Sequence, residues 1–382
     1  MDFDLSWILL GLPLAFGLGW LASRLDLRQL RMENRQNPKA YFKGLNHLLN
    51  EQQDQAIDAF IEAVQQDPDT SELHFALGNL FRRRGEFERA VRVHQHLLSR
   101  ADLSGADRDR AQHALALDFL KAGLLDRAEE CLRKLDGTAF EAQAQLALLS
   151  IYERSRDWPQ AAEMAQRLAQ SGQGNFEVRQ AHYLCEQAAT VAGTDPGQAE
   201  ALLKQAIALA PQAARATLAL AQLEDQQKRP QHAYEVLLSL AQRNPTFVPL
   251  LALRLASLAI QLGHTPQVHA LLTSHYEATP SLDVLDALVN MDVSEGHDTA
   301  RDWYARHLER EPSLVAASQW IAREQLADEA RRPALARAME RAVKPLKRYR
   351  CAACGFEAQQ HFWQCPGCQA WDSYPPRRIE EL

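Results

Sequence analysis

The apolar positions of this chain fall into three successive patterns. From Leu5 to Ser23 the sequence LSWILLGLPLAFGLGWLAS carries no charge. At 1.5 Å rise per residue these nineteen residues approach the thickness of a bilayer's hydrocarbon, which predicts a spanning helix. Nine Leu, Ile and Phe side chains supply roughly −3 to −5 kcal/mol toward insertion, before Pro13 and three glycines weaken it. Trp7 and Trp20 lie near its ends, where interfacial aromatics belong. A cleavable signal would need a basic leader and a small-x-small site, but only Asp2 and Asp4 precede the run. Arg24, Arg28, Arg31, Arg35 and Lys39 follow it and no Lys or Arg precedes it, so residues 24–382 are predicted on the cytoplasmic side. Asn37-Pro38 ends this basic segment.

Beyond it the pattern becomes helical and repeats. Gly44 and Gly78 are 34 apart, as are Ala56 and Ala90, Ala199 and Ala233, and Pro211 and Pro245. The positions Ala56, Ala90, Ala128, Ala161, Ala199, Ala233, Val268 and Ala300 step by 34, 38, 33, 38, 34, 35 and 32 residues. A helix-turn-helix period of 34 is the tetratricopeptide signature, here about eight units with an irregular ninth around Trp320 to Leu335. Small residues such as Gly78 and Ala90 are expected where helices cross closely. Leu77, Phe81 and Phe60 are expected to fill the space between repeats. Pro68, Pro211, Pro245, Pro280 and Pro312 are placed to end second helices. One such unit cannot bury its apolar stripe alone, so the array folds by stacking, and its groove suits a peptide or a partner's helix.

Composition adds little to this. Hydrophobic residues make up 46% and charged residues 24%, and Ala, Leu, Gln, Glu and Arg favour helix over strand. A net charge of −7 argues against bulk nucleic-acid binding. No P-loop, GxSxG, HExxH or GxGxxG is present, and GQGN at Gly172 reads as a turn. His94 and His96 are two apart on a helix and cannot share a metal, and the thirteen histidines read as groove or surface residues. Cys131 and Cys185 stand alone and read as buried small hydrophobes. Of the repeat positions where a carboxylate clamp could be built, only Asn79 is suitable, so no clamp is expected.

The third pattern is CAACGFEAQQHFWQCPGC, residues 351–368. Cys351 and Cys354 form one C-x2-C, and Cys365 and Cys368 the other, with ten residues between. Two such pairs supply four thiolates at the corners of a tetrahedron. Gly355 permits the left-handed turn that aims backbone N–H groups at sulfur, whereas Gln369 stands at the matching place in the second knuckle and leaves that turn open. A reducing cytoplasm disfavours disulfides, so one tetrathiolate-bound metal ion is expected, zinc or iron, in a structural role. Four cysteines leave no place for His361. Phe356, Phe362, Trp363, Trp371 and Tyr374 are expected to form a small core around the site. The basic stretch RAVKPLKRYRC before it reads as a solvated linker, with nucleic-acid binding as the alternative.

The order of parts, with LGNLFRRRGEFERAVRVHQHLL in the second repeat and YRCAACGFEAQQHFWQCPGCQAWDSYPPRR at the end, resembles the lipopolysaccharide assembly protein B family. The expected fold is an all-α tetratricopeptide superhelix with an N-terminal transmembrane helix and a small C-terminal rubredoxin-like or zinc-ribbon module. The parts are 1–23 anchor, 24–38 basic segment, 39–340 repeats and 341–382 metal module. The resemblance implies a non-enzymatic adaptor at the inner membrane, N-terminus periplasmic and bulk cytoplasmic. Such an adaptor would help a membrane-anchored AAA+ metalloprotease degrade the lipid A deacetylase and would scaffold other lipopolysaccharide-synthesis or transport proteins. It also implies iron at Cys351, Cys354, Cys365 and Cys368, although the ten-residue spacer is shorter than in true rubredoxins. An iron- or redox-responsive protein is the alternative, and nucleic acid is the least favoured partner.

Overall fold

A computed structural model describes residues 16–17, 19–20, 39–67, 69–297, 299–324 and 332–382. The expected span over 1–23 and the basic segment 24–38 lie almost wholly outside the described residues, as does Pro68.

The chain divides into two compact units, Met1–Arg156 and Asp157–Leu382. The first holds α1 (Lys39–Leu49), α2 (Gln53–Gln66), α3 (Ser71–Arg84), α4 (Phe87–Ser99), α5 (Gly105–Lys121), α6 (Leu125–Arg133) and α7 (Glu141–Ser155). The second holds α8 (Trp158–Gln170), α9 (Glu177–Val191), α10 (Pro196–Leu209), α11 (Ala214–Gln226), α12 (Pro230–Arg243), α13 (Val248–Leu262), α14 (Thr265–Ala278), α15 (Leu282–Ser294), α16 (Ala300–Arg310), α17 (Leu314–Arg323) and α18 (Arg332–Val343). A short hairpin, β1 (Tyr349–Arg350) and β2 (Glu357–Ala358), follows and is antiparallel, with Tyr349 opposite Ala358.

Helix starts follow from local chemistry. The side chains of Ser104, Asp157, Asp195 and Ser313 each accept from a backbone N–H three residues on, which satisfies a donor that has no intrahelical partner. Pro159 and Pro196 sit in the first turn, where their missing N–H costs nothing. Pro211, Pro245, Pro280 and Pro312 follow the ends of α10, α12, α14 and α16, as the spacing predicts.

The repeat positions explain the stacking. Ala56, Ala90, Ala128, Ala161, Ala199, Ala233 and Val268 are 0% exposed and Ala300 is 2%. Each is the fourth residue of α2, α4, α6, α8, α10, α12 or α14, and Ala300 opens α16. A larger side chain there would push neighbouring helices apart. In the first unit Phe60, Leu77 and Phe81 fill the space beside Ala56 and Ala90. In the second, α13 runs through the main core. With the turn before it, Pro245–Leu262 is long and apolar enough to cross a membrane. However, Leu251, Ala252, Leu255 and Leu258 are completely enclosed by neighbouring helices, so it reads as a core helix.

The histidines depart from expectation. His74, His94, His182 and His307 are buried. His94 Nδ1 pairs with Asp118 Oδ2 at 2.5 Å, and Asp118 Oδ1 accepts from Arg82 at 2.9 Å. Asn79 accepts from the same guanidinium at 2.7 Å. This network lies inside the first unit, where a buried charge has to be paired. Cys131 and Cys185 are buried, as expected, and burial raises both thiols, Cys185 to about 11.

Candidate metal centre

The site grows out of two matching turns. The N–H of Gly355 donates to the Cys351 carbonyl at 2.9 Å, and that of Gln369 to the Cys365 carbonyl at 2.8 Å. Gly355 has φ +78° and Gln369 φ +61°. The second turn therefore closes like the first, with glutamine accepting a left-handed backbone at a cost of roughly 1 kcal/mol. The N–H of Cys351 donates to Phe356 O and that of Cys365 to Ala370 O, each at 2.9 Å, which ties each turn back on itself.

These turns bring all four sequence-predicted cysteines together. Every sulfur lies within 4.8 Å of the others. Cys351 Sγ is 3.8 Å from Cys368 Sγ, and Cys354 Sγ is 3.7 Å from Cys365 Sγ. A tetrahedron of thiolates about 2.3 Å from a central ion has edges of about 3.8 Å, so the spacing fits one tetrahedral metal. Cys351 and Cys365 are buried, whereas Cys354 and Cys368 are exposed.

Electrostatics point the same way. Burial opposes a thiolate at Cys351, but the Ser373 hydroxyl and the N–H groups of Cys354 and Ala353 outweigh it and bring the thiol down to about 6. At Cys365 burial is likewise outweighed, by the N–H groups of Cys368 and Gly367, and the thiol is lowered. The N–H of Phe356 favours a thiolate at Cys354, but partial loss of hydration beside the cluster and the three neighbouring thiols push it up to about 12. The cluster prepares some thiolates and resists the rest. A central cation would remove that resistance, because a coordinating thiol is deprotonated outright.

His361 does not join the cluster, since its Nε2 bonds to the Tyr374 carbonyl at 3.0 Å. The expected aromatic core is only partly formed. Tyr374 is buried beside Tyr349, with Phe362 against them. Phe356 is 44% exposed and lies against Gly367 instead. Trp363 and Trp371 turn outward onto the helices of the second unit. Trp371 stacks on His182 of α9 at 4.7 Å and 14°, and meets Trp158 of α8 and Tyr183 edge-on. Asp372 Oδ2 bonds to His182 Nε2 at 2.8 Å. Trp363 lies 6.1 Å from Phe247.

The tail completes the docking. Arg378 donates two bonds to Asp283 of α15 at 2.8 and 3.0 Å and lies 4.2 Å over Tyr349. Glu381 accepts the Leu282 N–H at the start of α15 at 2.6 Å. Glu380 accepts the N–H groups of Leu314 and Val315 and the Ser313 hydroxyl at the start of α17. Two carboxylates thus satisfy two helix N-termini, where negative charge is favoured. The sequence held little sign of this docking, because the residues that meet are separated by up to 190 positions.

A family profile described as rubredoxin metal binding domain matches residues 349–375, and tetratricopeptide repeat profiles match 73–109 and 190–246. Lipopolysaccharide assembly protein B of Escherichia coli K12 is 32% identical, covering 98% of this chain and 98% of that one. The chain belongs to the lipopolysaccharide assembly protein B family. Within that family, the Haemophilus influenzae protein is 26% identical, covering 97% of this chain and 98% of its own. Solved structures are more distant. The Pseudomonas aeruginosa PilF protein is 21% identical with TM-score 0.31, covering 58% of this chain and all of that one. A tetratricopeptide repeat protein of Parabacteroides merdae is 13% identical with TM-score 0.28, covering 74% and 96%. Members of this family are scaffolds of tetratricopeptide type and generally non-catalytic, in keeping with a stack of helix pairs that ends in a cysteine ribbon.

Proposed function

We propose that the chain is a membrane-tethered, non-catalytic adaptor in lipopolysaccharide assembly. The observation that carries this reading is the family relationship over 98% of both chains, anchor-like segment and ribbon included. In this reading residues 1–23 hold the protein in the inner membrane with residues 24–382 in the cytoplasm. Tethering turns a search for other membrane proteins into a local one. The helical repeats bind the client, the lipid A deacetylase, and the AAA+ metalloprotease that degrades it. Cys351, Cys354, Cys365 and Cys368 hold one metal ion, which fixes the ribbon against the helices and so completes that surface.

Deleting residues 1–23 tests the tether. The expected outcome is a folded, soluble protein that no longer lowers deacetylase levels in cells lacking the native copy. Full activity of the soluble form would overturn the tethering mechanism.

The exposure of Cys354 and Cys368 favours one second reading, an iron- or redox-responsive protein, because it places one edge of the cluster at solvent. Red protein with a reversible iron couple supports that reading, and colourless protein carrying zinc rejects it.

A further inference from the structure

Residues 332–350 carry seven cationic side chains against Glu340 alone, a net +6 within a chain whose net charge is −7. Elsewhere cations are commonly paired: Arg82 with Asp118, Arg133 with Glu129, Arg215 with Glu186, Arg229 with Glu224. Here Arg348 and Arg350 share Glu357, but four cations on and just after α18 stand apart. Arg337, Arg341 and Lys344 are exposed and follow at i, i+4 and i+7, the spacing of one helix face. Lys347, in the turn beyond, is exposed too. Among the described residues none of these four side chains makes an ion pair. The apolar positions Leu335, Ala336, Met339 and Val343 line a groove shared with Ile321 of α17, so the helix has one face spoken for and one bare cationic face.

A cleft of about 340 Å³ opens beside this face, lined by Glu340, Lys344, Lys347, Arg348, Gln359 and Arg378. Arg378 is held by Asp283 and Arg348 lies 3.4 Å from Glu357, which leaves Lys344 and Lys347 as the uncommitted cations.

We propose that this face rests on anionic phospholipid, as a second contact with the membrane besides the N-terminal segment, with one headgroup phosphate in the cleft. Its closeness to lipid rests on the tether proposed above. A row of long, unpaired cations suits a plane of mobile phosphates, where each cation adds roughly fivefold to association. Single-stranded nucleic acid is the less suited partner, because residues 332–348 contain no aromatic side chain on which a base could stack.

The test uses the full chain in nanodiscs of phosphatidylcholine alone or with phosphatidylglycerol. Co-elution with the disc reports the tether separately. Amine acetylation followed by mass spectrometry reports the face. In anionic discs at low salt, Lys344 and Lys347 are expected to react about fivefold more slowly than in neutral discs. Lys204, on α10, should react equally in both. The protection should vanish at high salt and in the Arg337→Gln/Arg341→Gln variant. Equal rates for Lys344 and Lys347 in both lipids overturn the proposal. Protection in neutral discs on adding single-stranded DNA, without protection by anionic lipid, overturns it in favour of nucleic acid. If the chain does not enter discs, the tether fails, and the same labelling with added vesicles of the two compositions still decides the face.

Discussion

A Cβ built on Gly78 would lie 2.5 Å from His94 Nε2 and 2.6 Å from its Cε1. His94 cannot step aside, because its other nitrogen is bound to Asp118, and Asp118 is bound to Arg82. Gly78→Ala is therefore expected to destabilise the first unit by about 2–3 kcal/mol, read from its denaturant midpoint. Overpacking outweighs the better helix propensity of alanine, which is worth only about 1 kcal/mol. An unchanged midpoint would mean that His94 moves freely. Gln369 poses the opposite problem, a side chain where glycine would be unstrained. A β-branched residue suits a left-handed backbone far less well, so Gln369→Val should weaken metal retention in a chelator competition. Gln369→Gly should retain the metal at least as well. The glycine after Cys354 could be read as a turn signal, whereas the second turn had no such sign. The geometry there is imposed by the Gln369 to Cys365 hydrogen bond, not by residue type.

At the scale of elements, the tail of the ribbon acts as a cap on two helices. Arg378 and Asp283 form a bidentate pair, with Asp283 only 6% exposed. Arg378→Ala leaves that carboxylate without its guanidinium, and a loss of about 3 kcal/mol is expected in the second unit. The pH dependence of this docking has a definite sign. Burial raises the Glu381 carboxyl above its ordinary 4.5, although the N–H groups of Leu282 and Arg378 pull it down. The folded chain then holds the proton more tightly than the unfolded one. The contribution of Glu381 is full below 4.5 and is lost as pH rises through the folded value. The stability of Glu381→Gln should therefore depend less on pH across that window, compared with the parent chain by denaturant titration; parallel curves would reject this account. The helices themselves were legible from spacing, since the eight positions 34 or so apart are the ones that close packing restricts to small or compact side chains. The docking was not legible. Trp371 and Trp363 have the composition of a local core, and only the placement of His182 and Phe247 on helices far back in the sequence shows why they turn outward.

For the whole molecule, the division at Arg156 and Asp157 has a thermodynamic consequence. The first unit has its own core around Phe60 and Phe81 and its own buried network at His94. The second contains α8 to α18 and every contact described for the ribbon, including Trp371 on His182, Arg378 on Asp283 and the two carboxylate caps. A bound metal supplies free energy only to the state in which its four thiolates are assembled, on the order of 10 kcal/mol for a small ribbon. That energy reaches the helices through the ribbon's docking residues, all of which lie in the second unit. Unfolding of the metal-loaded chain is therefore expected to show two transitions. Chelation, or Cys365→Ser, should lower the one carrying the tryptophan signal of Trp158, Trp363 and Trp371 and leave the other in place. Gly78→Ala should do the reverse. The two perturbations used together should then act additively, as distant and independent sites do. A single transition moved equally by both would show that the repeats fold as one cooperative stack, and the metal would then stabilise the whole array through it rather than the second unit alone.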